Sequence, residues 1–479
     1  MTDSEAAPRR SPWTMLRDFG ALSGGELLAK IAGFVAFAWL ARRFPPDAYG
    51  QIEVAIQITM MFSLVVDFGL GPIGAREIAS DRGRAAGLAA AIPTLRLLLA
   101  TFAYGLVYVV AGLLDMGSEG RTLVRVTGLA LFAGPFVHNW LFQGLGKMLW
   151  VAVAQLLRSG AFAALVLLCI GESDGILSVG IFEALSAFVM AIWFVGAQIR
   201  IVGSLRLGAP LTELHRLFLQ AWPVGLSRTL WAVYQFVPTL LMTAIVGGAE
   251  VAWFAAAHRL VTSLGSFVNL YHFNLYPQLV EAVESGAERT RRLMTTSFRL
   301  TSWAGVAVAV AGTALAVPLC QLAFGEAFAR SGTTFAIAIW AVPISLLSAH
   351  ARFVLIAAGE QRFELAANAA GAAVAALGGA AAVATAGSEG AGAALVGGAA
   401  ATWLVAHRYA CSRVTTLPML QPLIRPLLTA SAVLAASALL MEPGWISGLV
   451  AALGFASLAP LVEPALLREA RALRRSDAE

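Results

Sequence analysis

The sequence is poor in charge, cysteine and lysine. Only 13% of its 479 residues are charged, about half of the roughly 25% usual in soluble domains. That deficit excludes a soluble enzyme. Three cysteines, Cys169, Cys320 and Cys411, are too few and too scattered for a disulfide framework or a zinc site, and they read as small apolar side chains. Lysine occurs only at Lys30 and Lys147. Neither stands in Gly-x-x-x-x-Gly-Lys-Ser/Thr, so direct ATP hydrolysis is excluded. His-Glu-x-x-His is missing as well. The run Gly69-Leu70-Gly71-Pro72-Ile73-Gly74 matches Gly-x-Gly-x-x-Gly but follows no strand and closes an apolar helix, so it is no dinucleotide fingerprint.

What the sequence has instead is apolar length. Hydrophobic residues make up 59% of the chain and mean hydropathy is +0.77. A membrane helix takes about 20 apolar residues, so fourteen would take roughly 280, and 59% of 479 is about 283. Almost nothing remains for a separate soluble core. Charge, Gly and Pro divide the chain into segments at 18–41, 49–74, 86–114, 122–143, 148–170 and 175–199, then 215–247, 251–280, 293–319, 332–358, 362–386 and 389–410, with two more at 423–441 and 444–466. The expectation is an all-α polytopic membrane protein of about fourteen helices, built as two pseudo-symmetric six-helix bundles with two additional C-terminal helices. Its parts are a cytosolic tail (1–17), an N-terminal bundle (18–200), a cytosolic linker (201–214), a C-terminal bundle (215–411), helices 13 and 14 (412–466) and a basic cytosolic tail (467–479). The polar stretch Met1–Arg17 has no apolar core or small-residue cleavage site and does not read as a signal peptide. The glycine- and alanine-rich tract at 370–400 reads as close helix packing.

Arginine and lysine orient such a chain, because they gather in cytoplasmic loops. With the N-terminus and every second loop on one side, that side holds 21 basic residues and the other holds 4, Arg42, Arg43, Arg121 and Arg330. An even number of spans with both termini in the cytoplasm is therefore expected. The net charge of +5 is spread along the chain and offers no clustered face for nucleic acid. A weak internal repeat supports the two bundles. A shift of 202 residues pairs Glu26 with Arg228, Gln57 with Arg259 and Asp67 with Asn269, and a shift of 213 pairs Gln155 with Asn368. Transporters are commonly built from such repeats.

The remaining 8 basic residues fall within or at the edges of helices, where a charge is costly unless it faces a cavity or a partner. At about 1.5 Å per residue, Arg96, Arg158 and Arg228 lie roughly 16–18 Å deep. Arg259 enters from the outer side, and Arg299 lies in the inner third of its helix. Lys30 stands four residues from Glu26 and shares its face. Lys30, Arg96, Arg158, Arg228, Arg259 and Arg299 are the candidate substrate-binding residues, lining a cationic cavity between the bundles, since guanidinium forks suit phosphate oxygens. The competing structural reading pairs each arginine with a membrane-depth acid, Glu26, Glu53, Asp67 or Glu183. Glu26 and Asp67 are candidate ion-coupling residues for Na+ or H+; no other cofactor and no metal site is expected. His138, His258, His272 and His350 lie on different helices and make weak candidates for a proton relay.

Leu40 to Gly50, followed by Asp67-Phe68-Gly69-Leu70 and Arg76-Glu77, resembles the polysaccharide-transporter family, the Wzx-type oligosaccharide flippases. Their superfamily includes the lipid II flippase and the multidrug and toxin extrusion antiporters. Ala256-Ala257-His258-Arg259-Leu260, Leu322-Ala323-Phe324-Gly325 and Ala357-Ala358-Gly359-Glu360-Gln361-Arg362 agree, and the likeness covers about 15–415. It implies two six-helix bundles that open alternately to each side of the membrane. It also implies transfer of undecaprenyl-diphosphate-linked oligosaccharide from the cytoplasmic to the outer leaflet. Helices 13 and 14 exceed the usual twelve and look more like the lipid II flippase. His258 stands where less ionisable residues are frequent. The implied protein is a transporter, not an enzyme, and acts as a monomer. Its partners would be the lipid-linked glycan and membrane lipids, with a polysaccharide polymerase and glycosyltransferases as candidates. A drug/ion antiporter would favour an acid-rich cavity, against the excess of deep arginine. A membrane glycosyltransferase or polymerase would need a long outer loop with carboxylates, and the outer loops here reach about a dozen residues.

Overall fold

The computed structural model describes residues 12–171, 174–203, 206–442 and 444–466. Among these residues the regular structure is all helical. The chain runs through α1 (Pro12–Arg43), α2 (Pro46–Asp67), α3 (Leu70–Ser80), α4 (Ala85–Leu113), α5 (Gly117–Gly128), α6 (Asn139–Gly144), α7 (Met148–Cys169), α8 (Leu177–Val202) and α9 (Leu211–Ile245). It continues through α10 (Gly248–Ser285), α11 (Ala287–Ala314), α12 (Ala316–Phe324), α13 (Ser331–Ala338), α14 (Ala341–Ala357), α15 (Gln361–Ala373), α16 (Gly379–Arg413), α17 (Gln421–Leu440) and α18 (Trp445–Val462). The expected apolar segments fall mostly on helical residues. By length and composition, eight described helices could each cross a membrane, or nine if α11 and α12, bent by 73°, count as one span.

That figure is lower than the expected fourteen for identifiable reasons. Segment 122–143 is divided among α5, a 3-10 stretch at Leu129–Phe136 and α6. Segments 362–386 and 389–410 sit on one run with α15, where the backbone turns at Ala386 (φ −133°) and Gly387 (φ 53°). Helices α9 and α10 carry arginine, histidine and amide side chains along their length, which lowers their hydropathy. Segment 49–74 also differs from expectation. Helix α2 ends at Asp67, and α3 begins at Leu70 after Phe68 (φ 38°) and Gly69 (φ 79°). A left-handed residue stops a helix, and glycine takes that conformation without a Cβ penalty.

The molecule divides into two compact units. The first comprises Met1–Arg43 and Ala55–Thr229, and the second comprises Phe44–Val54 and Leu230–Glu479. This division falls inside α9 after Thr229, downstream of the expected linker at 201–214. Backbone contact explains the shift, because the start of α9 lies against the α2–α3 break. A Cβ on Gly69 would stand 2.7 Å from the Ala221 carbonyl oxygen, and one on Gly225 would stand 2.6 Å from the Phe68 oxygen. Within the first unit, α3, α6, α7 and α8 close over Trp140, Phe142 and Phe194. In the second unit, one core gathers Met294, Phe298, Leu347 and Leu355 on α11 and α14. Helices α17 and α18 pack on α11, with the Trp303 and Phe455 rings 5.5 Å apart.

Candidate functional site

The first unit's ion cluster forms where α2 breaks. Asp67 is the last residue of α2, and its Oδ1 accepts the Gly71 N–H at 3.2 Å, which anchors the start of α3. The same oxygen accepts an Arg96 Nη2–H from α4, while Arg96 Nη1 donates to the Val137 carbonyl at 2.9 Å, between the 3-10 stretch and α6. Two helix interruptions thus meet on one guanidinium. The other carboxylate oxygen, Oδ2, accepts from Arg228 Nη1 on α9 at 2.8 Å. The side chain of Arg96 is 5% exposed, that of Asp67 22% and that of Arg228 46%. Among the described residues two guanidinium groups share this one carboxylate, and Arg228 is the more exposed arm.

Arg158 on α7 has a partner of its own. Its Nη2 lies 2.5 Å from Glu183 Oε1 on α8, a one-to-one pair. Lys30 is exposed on α1, and Glu26 lies on the same helix with its side chain outside the described residues. At the end of the unit where α3 meets the start of α9, the buried Glu77 accepts from Arg216 at 2.8 and 3.2 Å and pairs with Arg84 at 2.7 Å. Arg216 also binds Glu213 at 2.6 Å. Its hydrogen bonds, with the added field of Arg84, hold the Glu213 carboxyl below the ordinary carboxylate range.

In the second unit, Arg259 on α10 grips Glu53 of α2 with two hydrogen bonds, Nε to Oε1 at 2.8 Å and Nη2 to Oε2 at 2.7 Å. Glu53, with its side chain 1% exposed, also accepts from the Tyr49 hydroxyl at 2.6 Å. Burying one carboxylate is tolerable here because both oxygens are satisfied. His258 stacks on Phe254, with ring centroids 5.5 Å apart. Arg299, partly exposed on α11, stands apart from this clamp in sequence and on another helix. On α14, Arg352 binds Glu364 of α15, which also accepts from Asn368.

Of the six predicted basic residues, the structure brings Arg96 and Arg228 together on Asp67 and gives Arg158 and Arg259 separate acidic partners. Sequence reasoning left out two elements: the Glu77–Arg84–Arg216–Glu213 network and the contact between His272 and His350. The only signal for the first was the alternation of acid and base near the ends of α3 and α9.

Apolar helices broken at ion pairs, in a chain of which only 13% is charged, define a multi-pass membrane protein of transporter architecture. The chain belongs to the polysaccharide biosynthesis protein family, whose model matches residues 15–283. A protein of Shigella dysenteriae named "Putative O-antigen transporter" is 22% identical over 342 residues, which cover 69% of this chain and 83% of that protein. The solved structure of lipid II flippase MurJ in an inward closed conformation superposes with a TM-score of 0.74 at 12% identity, covering 93% of this chain and 99% of MurJ. An inward-facing multidrug resistance MATE family transporter superposes with a TM-score of 0.64 at 16% identity, covering 81% and 94%. At those identities the likeness concerns the fold. These relatives are transporters and flippases rather than enzymes.

Proposed function

We propose that this chain is an inner-membrane flippase that carries undecaprenyl-diphosphate-linked oligosaccharide from the cytoplasmic to the outer leaflet. An ion gradient or the membrane potential drives it, by alternating access. Membership of the polysaccharide biosynthesis family and the name of the Shigella dysenteriae relative support the cargo class. The observation that carries the reading is the excess of guanidinium on Asp67. Arg96 is buried and doubly bound, so it fixes the carboxylate, whereas Arg228 is the partner that can leave it. An incoming diphosphate competes with Asp67 for the Arg228 fork, since a guanidinium binds phosphate oxygens through two parallel hydrogen bonds. Asp67 then keeps one counter-cation and becomes the place for a coupling Na+ or H+, with Glu26 as the second candidate.

Lys30, Arg158, Arg259 and Arg299 contribute positive field to the anion's path, and the lipid tail stays in the bilayer. The protein acts as a monomer with both termini in the cytoplasm. Glycosyltransferases supply its substrate, and a polymerase consumes its product. Helices α17 and α18 form the additional C-terminal pair. Surface polysaccharide in the native host tests the reading. Loss of the polymer on Arg228→Ala, with the variant present in the membrane, is expected. An unchanged surface in both Arg228→Ala and Arg96→Ala would overturn it.

A further inference from the structure

A second polar chain crosses the second unit, starting further along α10 than Arg259, and substrate binding makes no use of it. Tyr271 Oη lies 2.5 Å from Ser297 Oγ, Ser297 Oγ lies 2.6 Å from His350 Nε2, and His350 Nδ1 lies 3.1 Å from His272 Nε2. The two imidazoles and Ser297 are buried, whereas Tyr271 is partly exposed. Helices α10, α11 and α14 are joined by this one path. Phe298 stacks on His350 and Phe353 on His272, with centroids 4.5 and 5.3 Å apart, so aromatic faces wall the pair.

The backbone fixes the resting arrangement of protons. His272 Nδ1 is 2.7 Å from the Val268 carbonyl, and His350 Nδ1 is 2.7 Å from the Leu346 carbonyl. A carbonyl only accepts, so both Nδ1 atoms carry hydrogen and both Nε2 atoms are lone pairs. Ser297 then donates to His350 Nε2, and Tyr271 donates to Ser297. The His272 Nε2 lone pair faces the His350 Nδ1–H. Every bond points inward from Tyr271, and the chain ends on a basic nitrogen.

We propose that the Tyr271–Ser297–His350–His272 chain is a proton-binding site that takes up one proton through Tyr271 and stores it on the histidine pair. Water gives a proton to the Tyr271 oxygen as the phenol passes its own to Ser297, and Ser297 passes its own to His350 Nε2. The shift is concerted, and one proton enters. His350 is then the imidazolium, and it keeps its Nδ1–H on the Leu346 carbonyl, shared with the His272 Nε2 lone pair. All bonds between Tyr271 and His350 now point outward, and release runs the same steps backward. The pair holds one added proton, since a second would set two N–H groups against each other. Nearby charge is balanced. Arg352 lies within electrostatic range of His272 and is held by Glu364. Of the helices packed here, α10 also carries Glu250, His258, Arg259, Tyr276, Glu281 and Glu284, α11 carries Glu288, Arg289, Arg291, Arg292 and Arg299, α16 carries Glu389, His407, Arg408, Tyr409, Cys411 and Arg413, and α13 has none.

Proton uptake stands independently of the transport reading, but its role as the coupling step rests on that reading. The two are tested apart in the full-length protein. In lipid nanodiscs, nitrogen NMR of labelled histidines should show His272 and His350 titrating together as one event, and His350→Gln should abolish the change at His272. In vesicles bearing a lipid-diphosphate oligosaccharide, a pH difference should accelerate wild-type flipping severalfold. His272→Gln and His350→Gln should flip at equal rates with and without it. Rings that stay neutral across the whole pH range of the folded protein would overturn the site. Variants that keep the pH response would overturn its coupling role. A wild type that moves no lipid at all, with normal histidine titration, would overturn the flippase reading and the coupling role while leaving the proton site standing.

Discussion

Arg228 Nη1 lies 2.8 Å from Asp67 Oδ2, although 161 residues separate the two in the chain. Close backbone approach makes the contact. Gly69 and Gly225 let the α2–α3 break touch α9, and Arg228 stands one helical turn beyond Gly225. The two arginines on Asp67 should therefore answer differently to removal. Arg96→Ala removes the buried partner of Asp67 and the donor to the Val137 carbonyl, and should cost about 1–3 kcal/mol. Arg228→Ala breaks a half-exposed pair, worth about 0–1 kcal/mol, and should leave the fold intact while slowing transport. Thermal unfolding in detergent beside glycan export separates the two effects.

The glycine contact itself is testable. Gly225→Ala puts a Cβ 2.6 Å from the Phe68 oxygen, and Gly69→Ala adds a left-handed strain of about 1–2 kcal/mol. Both should lower the melting temperature, and Gly105→Ala, whose Cβ would meet nothing within 4 Å, should not. Equal melting of all three would contradict the close packing.

Much of this fold was legible in the sequence, because membrane helices announce themselves by apolar length. The expected segments are mostly helical, but the break at Phe68–Gly69 inside segment 49–74 was not foreseen. Partners were not legible. Helical periodicity reports neighbours three or four residues apart, whereas Asp67–Arg228 and Glu53–Arg259 are separated by 161 and 206 residues. The repeat alignment set Asp67 against Asn269 and so gave no hint that Arg228 binds it. The histidines looked scattered for the same reason, since 78 residues separate His272 from His350.

In the second unit, Glu53 satisfies Arg259 and Tyr49 together. Glu53→Ala should cost about 3–5 kcal/mol by removing the carboxylate that both Arg259 and Tyr49 bind. Tyr49→Phe removes one hydrogen bond to a charged group and should cost about 1.5–3 kcal/mol. A double variant less destabilised than the sum of the two would show that they act as one unit.

Glu213 gives a pH dependence whose sign is fixed. Its carboxyl is held below the ordinary range by Arg216 and Arg84, so its stabilisation is complete above the unfolded value. That contribution fades as pH falls through the folded value. Melting curves of wild type and Glu213→Gln should differ near neutral pH and converge in acid. Divergence on acidification would contradict the assignment.

Orientation is open to cysteine labelling. With the three native cysteines replaced, single cysteines at Arg291 and Arg362 should react only with reagent on the cytoplasmic side, and those at Arg121 and Arg330 only from outside.

Flipping in vesicles built from the purified full-length chain tests the central claim most directly. With a fluorescent undecaprenyl-diphosphate oligosaccharide, the wild type should exchange lipid across the leaflets well above protein-free vesicles. Arg228→Ala should fall toward that background, and an uncharged glycolipid should stay in place. Wild-type exchange no faster than protein-free vesicles, or equal movement of the uncharged glycolipid, would contradict an arginine-centred flippase.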